Sequence, residues 1–300
     1  MNNITYNKIK LFLNNISNTT GIIQKGKMKK RFSILSFVCL LNISASSIDE
    51  GNIESIGCEP TYKEILLKKV SAKMPDLVTY PFFHYPNEGH EQVLKYFPNG
   101  KILIFGYGSL MNKASASRSL KAEAVETMKT AIAFGVKRIF NYKAAKTVHW
   151  GANRHPKERA MLNLMQTLNI SSLANGVTIE VDEEDFNSLI LRETGYDLVP
   201  ILVMYAADMD SENPEPEIRV AYTFVAMNEL RNHINYTHTK YYPVRGYLRA
   251  VQQAAATHGD KFACMWDCTT YMADGTTTIR EWDQETFSGI LRTFENESLD

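Results

Sequence analysis

A carboxylate falls where a helical pattern asks for an apolar side chain. Asp182, followed by Glu183, Glu184 and Asp185, reads as an N-cap with an acidic first turn, where negative charge suits the helix dipole. Gly195 reads as the stop. Between them Phe186, Leu189 and Ile190 form the apolar stripe, and continuing the i, i+3, i+4, i+7 series lands on Glu193. Burying a carboxylate without compensation is costly, so such a group faces a polar site or has its pKa raised. A general base working near neutral pH needs that environment. The position is equally compatible with a structural glutamate at a helix end, paired with an arginine. Glu183 and Glu184 are solvated first-turn charges.

The second candidate is a glycine-rich turn. Ile102-Leu103-Ile104-Phe105 is a short apolar run ending in Gly106-Tyr107-Gly108-Ser109-Leu110, the pattern of a buried strand feeding a tight loop. Glycines there let backbone approach a ligand closely and turn N–H groups toward an anion. The dinucleotide fingerprint would need glycine where Met111 stands, and no Gly-Lys-Ser/Thr of a phosphate loop follows. Taken alone, the turn is also read as a plain strand-to-helix connection.

These groups need a frame. Strands are expected at Ala131–Phe140, Ala160–Gln166, Gly176–Val181, Leu198–Ala206 and Val220–Met227, with Pro200 confined to an edge or a bulge. Helices are expected at Tyr62–Lys73, carrying Ile65, Leu66 and Val70, and at Tyr247–His258, closed by Gly259. Pro75, Pro81 and Pro86 mark an extended, turn-rich passage, and the segment around Cys264 is ambiguous. Mixed strands with few helices indicate an α+β fold: a small mixed β-barrel with helices packed outside. The expected organisation is an extension over 1–47, a segment over 48–99 packing on the main domain, and the main domain over 100–297.

Composition narrows the chemistry. The 300 residues are 44% hydrophobic, and 33 Lys plus Arg balance 33 Asp plus Glu. No net field holds a polyanion, and no basic run alternates with aromatics, so nucleic acid is not an expected partner. No apolar stretch of the ~20 residues a bilayer span needs occurs after the first fifty positions, so no integral membrane segment is expected in the mature chain. Met28-Lys29-Lys30-Arg31, the apolar run Phe32–Ile43 and Ser44-Ala45-Ser46-Ser47 follow the order of a secretory signal. Export with a mature start near Ile48, and Met28 as the true start, are expected; an uncleaved extension on a cytoplasmic protein is the alternative. Cys58, Cys264 and Cys268 show no zinc-type spacing. His233 and His238 share no helical face and no acidic cluster completes a metal site. Ser109 has neither a recognisable histidine partner nor a nucleophile-elbow frame. Trp150, Trp266 and Trp282 read as core or interface residues.

Together the two candidates carry a resemblance. Phe105-Gly106-Tyr107-Gly108-Ser109-Leu110-Met111 resembles the Tyr-Gly-Ser signature of the γ-glutamylcyclotransferase family (the AIG2-like fold). Asn175–Val181 is similar to its central strand, Leu191-Arg192-Glu193-Thr194-Gly195-Tyr196 to the helix end bearing its catalytic glutamate, and Pro243–Leu248 with Ala254–Gly259 to a later helix. The resemblance spans about Lys101 to Trp282. Leu110 departs from the Asn of mammalian cytosolic relatives, which weakens any transfer of substrate.

The resemblance implies a cofactor-independent, metal-free reaction on a small γ-glutamyl peptide or amine. The free α-amine attacks its own γ-carbonyl, releasing 5-oxoproline and an amine. It implies Glu193 as general base, with Tyr107, Gly108, Ser109, Leu110 and Tyr247 around the substrate. Tyr247 is also readable as a core tyrosine. Two alternatives stay open: a non-catalytic ligand-binding or regulatory member of the fold, and a glutathione-specific cyclotransferase.

Overall fold

The computed structural model describes residues 62–83, 95, 98–143, 158–167, 169–193, 196–213, 215–226 and 241–283. The signal-like segment 28–47, Cys39, Cys58, Trp150, Gly195, His233 and His238 lie outside the described residues.

The elements run α1 (Tyr62–Lys73), β1 (Ile102–Gly106), α2 (Lys113–Ala116), α3 (Ala122–Glu126), β2 (Lys129–Phe134), β3 (Val136–Lys143), β4 (Glu158–Gln166) and β5 (Leu173–Val181). They continue with α4 (Glu183–Arg192), β6 (Asp197–Tyr205), α5 (Ala206–Asp210), β7 (Arg219–Val225), β8 (Tyr242–Pro243), α6 (Arg245–Ala256), α7 (Asp260–Cys268) and β9 (Thr270–Tyr271). Five strands close a barrel in the order β1-β5-β2-β6-β7. Its ladders are antiparallel except where β7 meets β1 in parallel, Ile104 opposite Tyr222. A second sheet runs β8-β4-β3-β9. The fold is α+β, a mixed barrel with helices outside.

Along β2 and the second half of β6, alternation divides the side chains between two apolar clusters. Ala131 and Ala133 of β2 and Ile201 and Val203 of β6 face the main core. Ile132, Phe134, Leu202 and Met204 point outward and would meet water, but Leu66 and Val70 of α1 cover them. Each fully buried side chain of this kind is worth about 1.5–3 kcal/mol, so the cover is a substantial part of the fold's stability. This explains why β6 reads as a nearly continuous apolar run: it is buried on both faces. Phe83 belongs to the main core instead, and is held to β6 by backbone hydrogen bonds exchanged with Leu198, both at 3.0 Å.

Two expectations are corrected and one open segment is assigned. The run Ala131–Phe140 is two strands, because Gly135 adopts a left-handed φ of 66° that breaks β2 from β3. Its N–H donates to Ser172 O at 2.8 Å, and the chain passes there from the barrel to the second sheet. The passage after Lys73 is a 3-10 helix over Met74–Thr79 with Pro75 in its first turn, where a missing N–H does no harm. The Cys264 segment is helical, its buried face made by Phe262 and Trp266 four residues apart.

Pro200 pairs with Tyr222 of β7 on one side. On the other, the ladder with β2 has already ended at Phe134–Leu202, so no β2 residue stands opposite its missing N–H. The helix expected at Tyr247–His258 starts two residues earlier, with Val244 as N-cap. Val244 is held by β4, its N–H donating to Ala160 O at 3.0 Å. Among the described residues no helix is long and apolar enough to cross a membrane.

Candidate active site

The turn after β1 is shaped by what lies against it. Met111 N donates to Gly108 O at 3.0 Å and Asn112 N to Ser109 O at 3.3 Å, closing a short 3-10 turn through its carbonyls. Among the described residues no backbone carbonyl accepts the N–H of Gly108 or Ser109. Gly108 is required by close approach: a β-carbon there would stand 2.7 Å from the Tyr247 hydroxyl and 3.7 Å from Leu162. Tyr247 arrives from the first turn of α6, which brings the C-terminal part of the chain onto the turn.

Tyr107 precedes Gly108 in the same turn and also lines the pocket. Its ring is buried, and its hydroxyl donates to Phe224 O at 2.7 Å. Leu110 is buried too, with its Cβ packed against the α-carbon of Gly106.

From the opposite side comes the end of α4. Asp182 caps it, accepting from Asp185 N at 2.9 Å, and Asp185 is itself buried, accepting from Lys121 N at 2.8 Å. Phe186, Leu189 and Ile190 bury the stripe, and Glu193 follows as the C-cap, its N–H on Leu189 O at 2.9 Å. The stripe thereby carries the Glu193 side chain inward, leaving 19% of it exposed. Phe105, Gly106, Tyr107, Gly108, Ser109, Leu110, Glu193 and Tyr247 line one pocket, completed by Leu162, Tyr196 and Phe224.

Arg192 joins the two halves of this pocket. Its Nε lies 3.3 Å from Glu193 Oε1. Its terminal nitrogens donate to Ser109 Oγ at 2.9 Å, Ser115 Oγ at 3.0 Å and Ser115 O at 2.6 Å. One guanidinium therefore fixes the carboxylate, the turn after β1 and the start of α2 relative to each other. The two readings of Glu193 merge: it is paired with an arginine and it faces the pocket. Sequence reasoning missed Tyr196 in the pocket lining and Arg192 as the residue that fixes Glu193, although both flank Glu193 in the same short stretch. A cation adjacent in sequence to a striped carboxylate was the available signal for Arg192.

The electrostatics follow from this enclosure. Burial raises the Glu193 pKa above the usual carboxylate range, and the Arg192 charge opposes that rise. Burial, reinforced by the Glu193 charge, holds Tyr247 protonated through the accessible pH range. Tyr107 and Tyr196 are raised for the same leading reason. The pocket thus holds a desolvated carboxylate among neutral phenols.

Beneath it lies Arg138, fully buried in β3. It donates to Thr270 Oγ1 at 2.6 Å, Asn175 Oδ1 at 2.9 Å, Thr269 Oγ1 at 3.0 Å and Trp266 O at 3.1 Å, and also to Asn175 O. Burial pushes its pKa down to about 9, against the raising influence of Asp267, so it stays charged at neutral pH. It stacks on Trp266 at 4.7 Å, and the indole N–H reaches Tyr107 O at 3.5 Å. The pocket floor is therefore tied to β3, β5 and α7. Among the described residues no group of three or more His, Cys, Asp or Glu could hold a metal ion.

Among solved structures the chain is similar to a γ-glutamyl cyclotransferase specific to glutathione from yeast. The identity is 13% and the TM-score 0.40, covering 57% of this chain and 96% of that one. A second, described as a γ-glutamyl cyclotransferase, matches at 13% identity and a TM-score of 0.36, over 53% and 80%. YkqA from Bacillus subtilis matches at 15% and 0.40, over 58% of this chain and 55% of its own. No family model and no curated protein sequence matches the chain. At TM-scores this low the functional reading rests on the pocket's own geometry.

Proposed function

We propose that this chain is a γ-glutamylcyclotransferase-type enzyme acting on a small γ-glutamyl peptide or amine. The observation that carries the reading is Glu193: a carboxylate with raised pKa that lines the same pocket as Gly108, Ser109 and Tyr247. The reaction needs few parts. A free α-amine titrates near pH ~8, so an adjacent carboxylate can take its proton and make it a nucleophile. The nitrogen then attacks the γ-carbonyl carbon of the same molecule. The carbonyl oxygen takes the negative charge, collapse breaks the bond to the leaving nitrogen, which recovers the proton from Glu193, and the second proton of the attacking nitrogen passes to the released amine.

The products are 5-oxoproline and an amine. Holding the γ-glutamyl group folded back supplies the proximity advantage of an intramolecular reaction. The Gly108 and Ser109 amides serve the substrate α-carboxylate and the developing oxyanion. Tyr247, kept neutral, is a hydrogen-bond donor at the pocket wall. Arg192 holds Glu193 and Ser109 in one frame.

The test is to incubate the purified full chain with γ-glutamyl-alanine and with glutathione and to measure 5-oxoproline. Product from either supports the reading, and the ratio between them reports the leaving-group preference. Ligand-dependent thermal stabilisation without product would instead assign a binding module.

A further inference from the structure

The exposed face of α7 carries two thiols that the pocket does not use. Cys264 and Cys268 are both free, four residues apart, on the side of α7 away from the buried Phe262 and Trp266. Arg280 donates to both from one nitrogen, Nη1 lying 3.3 Å from each Sγ. The two sulfurs therefore cannot be farther apart than twice that distance.

The rise and radius of an α-helix set their α-carbons about 6.2 Å apart. That falls within the roughly 4.4–6.8 Å range of Cα separations that a disulfide spans. Cys268 is also the last residue of α7, and Thr269 has already left the helical region at φ −110° and ψ 8°. A bridge also needs β-carbons about 3.5–4.5 Å apart, closer than the roughly 5–6 Å of an i, i+4 pair, so closing it draws the last turn of α7 toward Cys264.

We propose that Cys264 and Cys268 form a dithiol site for low-molecular-weight disulfides, closing to an intrachain bridge, with Arg280 as the cation that assists the exchange. One cysteine thiolate attacks a sulfur of the small disulfide RSSR, forming a mixed disulfide and releasing RS⁻. The second thiolate attacks the protein sulfur of that mixed disulfide, forming the Cys264–Cys268 bond and releasing a second RS⁻. The two cysteine protons end on two RSH molecules. The protein pair is oxidised by two electrons and the small disulfide is reduced by two. Negative charge is shared along the sulfur chain during each attack, and Arg280 faces both sulfurs.

The site is separate from the pocket, so its test needs no enzymatic activity. The folded full chain is treated with bis(2-hydroxyethyl) disulfide, quenched by acid and cleaved after lysine. Lys261 is the last lysine, so the fragment Phe262–Asp300 holds both cysteines. The expected result is a fragment lighter by two hydrogen atoms and free of adduct. Cys264→Ser is expected to trap a stable single adduct on Cys268. Arg280→Gln, at an exposed position and checked for an unchanged melting temperature, is expected to slow closure about two- to five-fold, the equivalent of one exposed ion pair. A wild-type fragment that keeps one or two adducts, or does not react, would overturn the bridge. A rate unchanged by Arg280→Gln would overturn the role of the cation.

Discussion

The Tyr247 hydroxyl stands 2.7 Å from the point where a β-carbon on residue 108 would lie. The glycine of the turn and the tyrosine of α6, 139 positions later, are thus one steric unit (from 108 to 247). Gly108→Ala pushes the phenol out of place. Overpacking of this kind costs about 1–3 kcal/mol, and turnover falls with it. In Gly108→Ala/Tyr247→Phe the clashing oxygen is gone, so the double variant is less destabilised than the sum of the singles. A double-mutant cycle by urea denaturation measures this, and simple additivity would contradict the contact.

The pH dependence has a definite sign. Glu193 acts as a base only when ionised, so kcat/KM falls on the acid side through a pKa above the usual carboxylate range. Arg192 lowers that pKa, so Arg192→Met raises it further and moves the acid limb to higher pH. The effect on stability runs in parallel. A carboxyl whose folded pKa is raised contributes stability that is fully present below its unfolded pKa, about 4.3. That contribution is lost as pH rises through the folded value. Against a Glu193→Gln reference, the wild type is expected to lose relative stability over that window, as read by chemical denaturation across pH.

Much of this was legible in the sequence, and the reasons differ by element. Glu193 was found because period-3.6 burial and charge disagree at one position, a contradiction that needs no three-dimensional information. The turn at Gly106–Ser109 was visible because an apolar run ends in glycines. The break at Gly135 was missed because apolar residues continue across it, and only a left-handed φ reveals two strands. Arg192 was passed over because a helix-end arginine is ordinarily a solvated charge. Its link to Ser109 depends on residues 83 positions apart meeting in space.

The segment before the barrel has a testable structural role. Val70 is fully buried against the outer face of β2 and β6. Val70→Asp places an uncompensated carboxylate there and strips the cover from Ile132 and Met204. The expected loss is about 3 kcal/mol or more, seen as a lower midpoint in urea. Lys68→Asp, on the exposed side of α1, is expected to change stability by less than about 0.5 kcal/mol.

The basic, apolar and small-residue order of residues 28–47 leads us to propose export with cleavage close to Ile48. N-terminal sequencing of protein recovered outside the cytoplasm is expected to begin within a few residues of that position. Recovery only inside the cell, with Phe32–Ile43 still attached, would contradict it.

The most direct measurement is 5-oxoproline release by the wild type and by Glu193→Gln under saturating γ-glutamyl dipeptide. Glutamine keeps the shape and the polarity but cannot take a proton, so the account predicts a fall in kcat of about 100-fold or more with the fold intact. A Glu193→Gln enzyme that forms 5-oxoproline at the wild-type rate would contradict it.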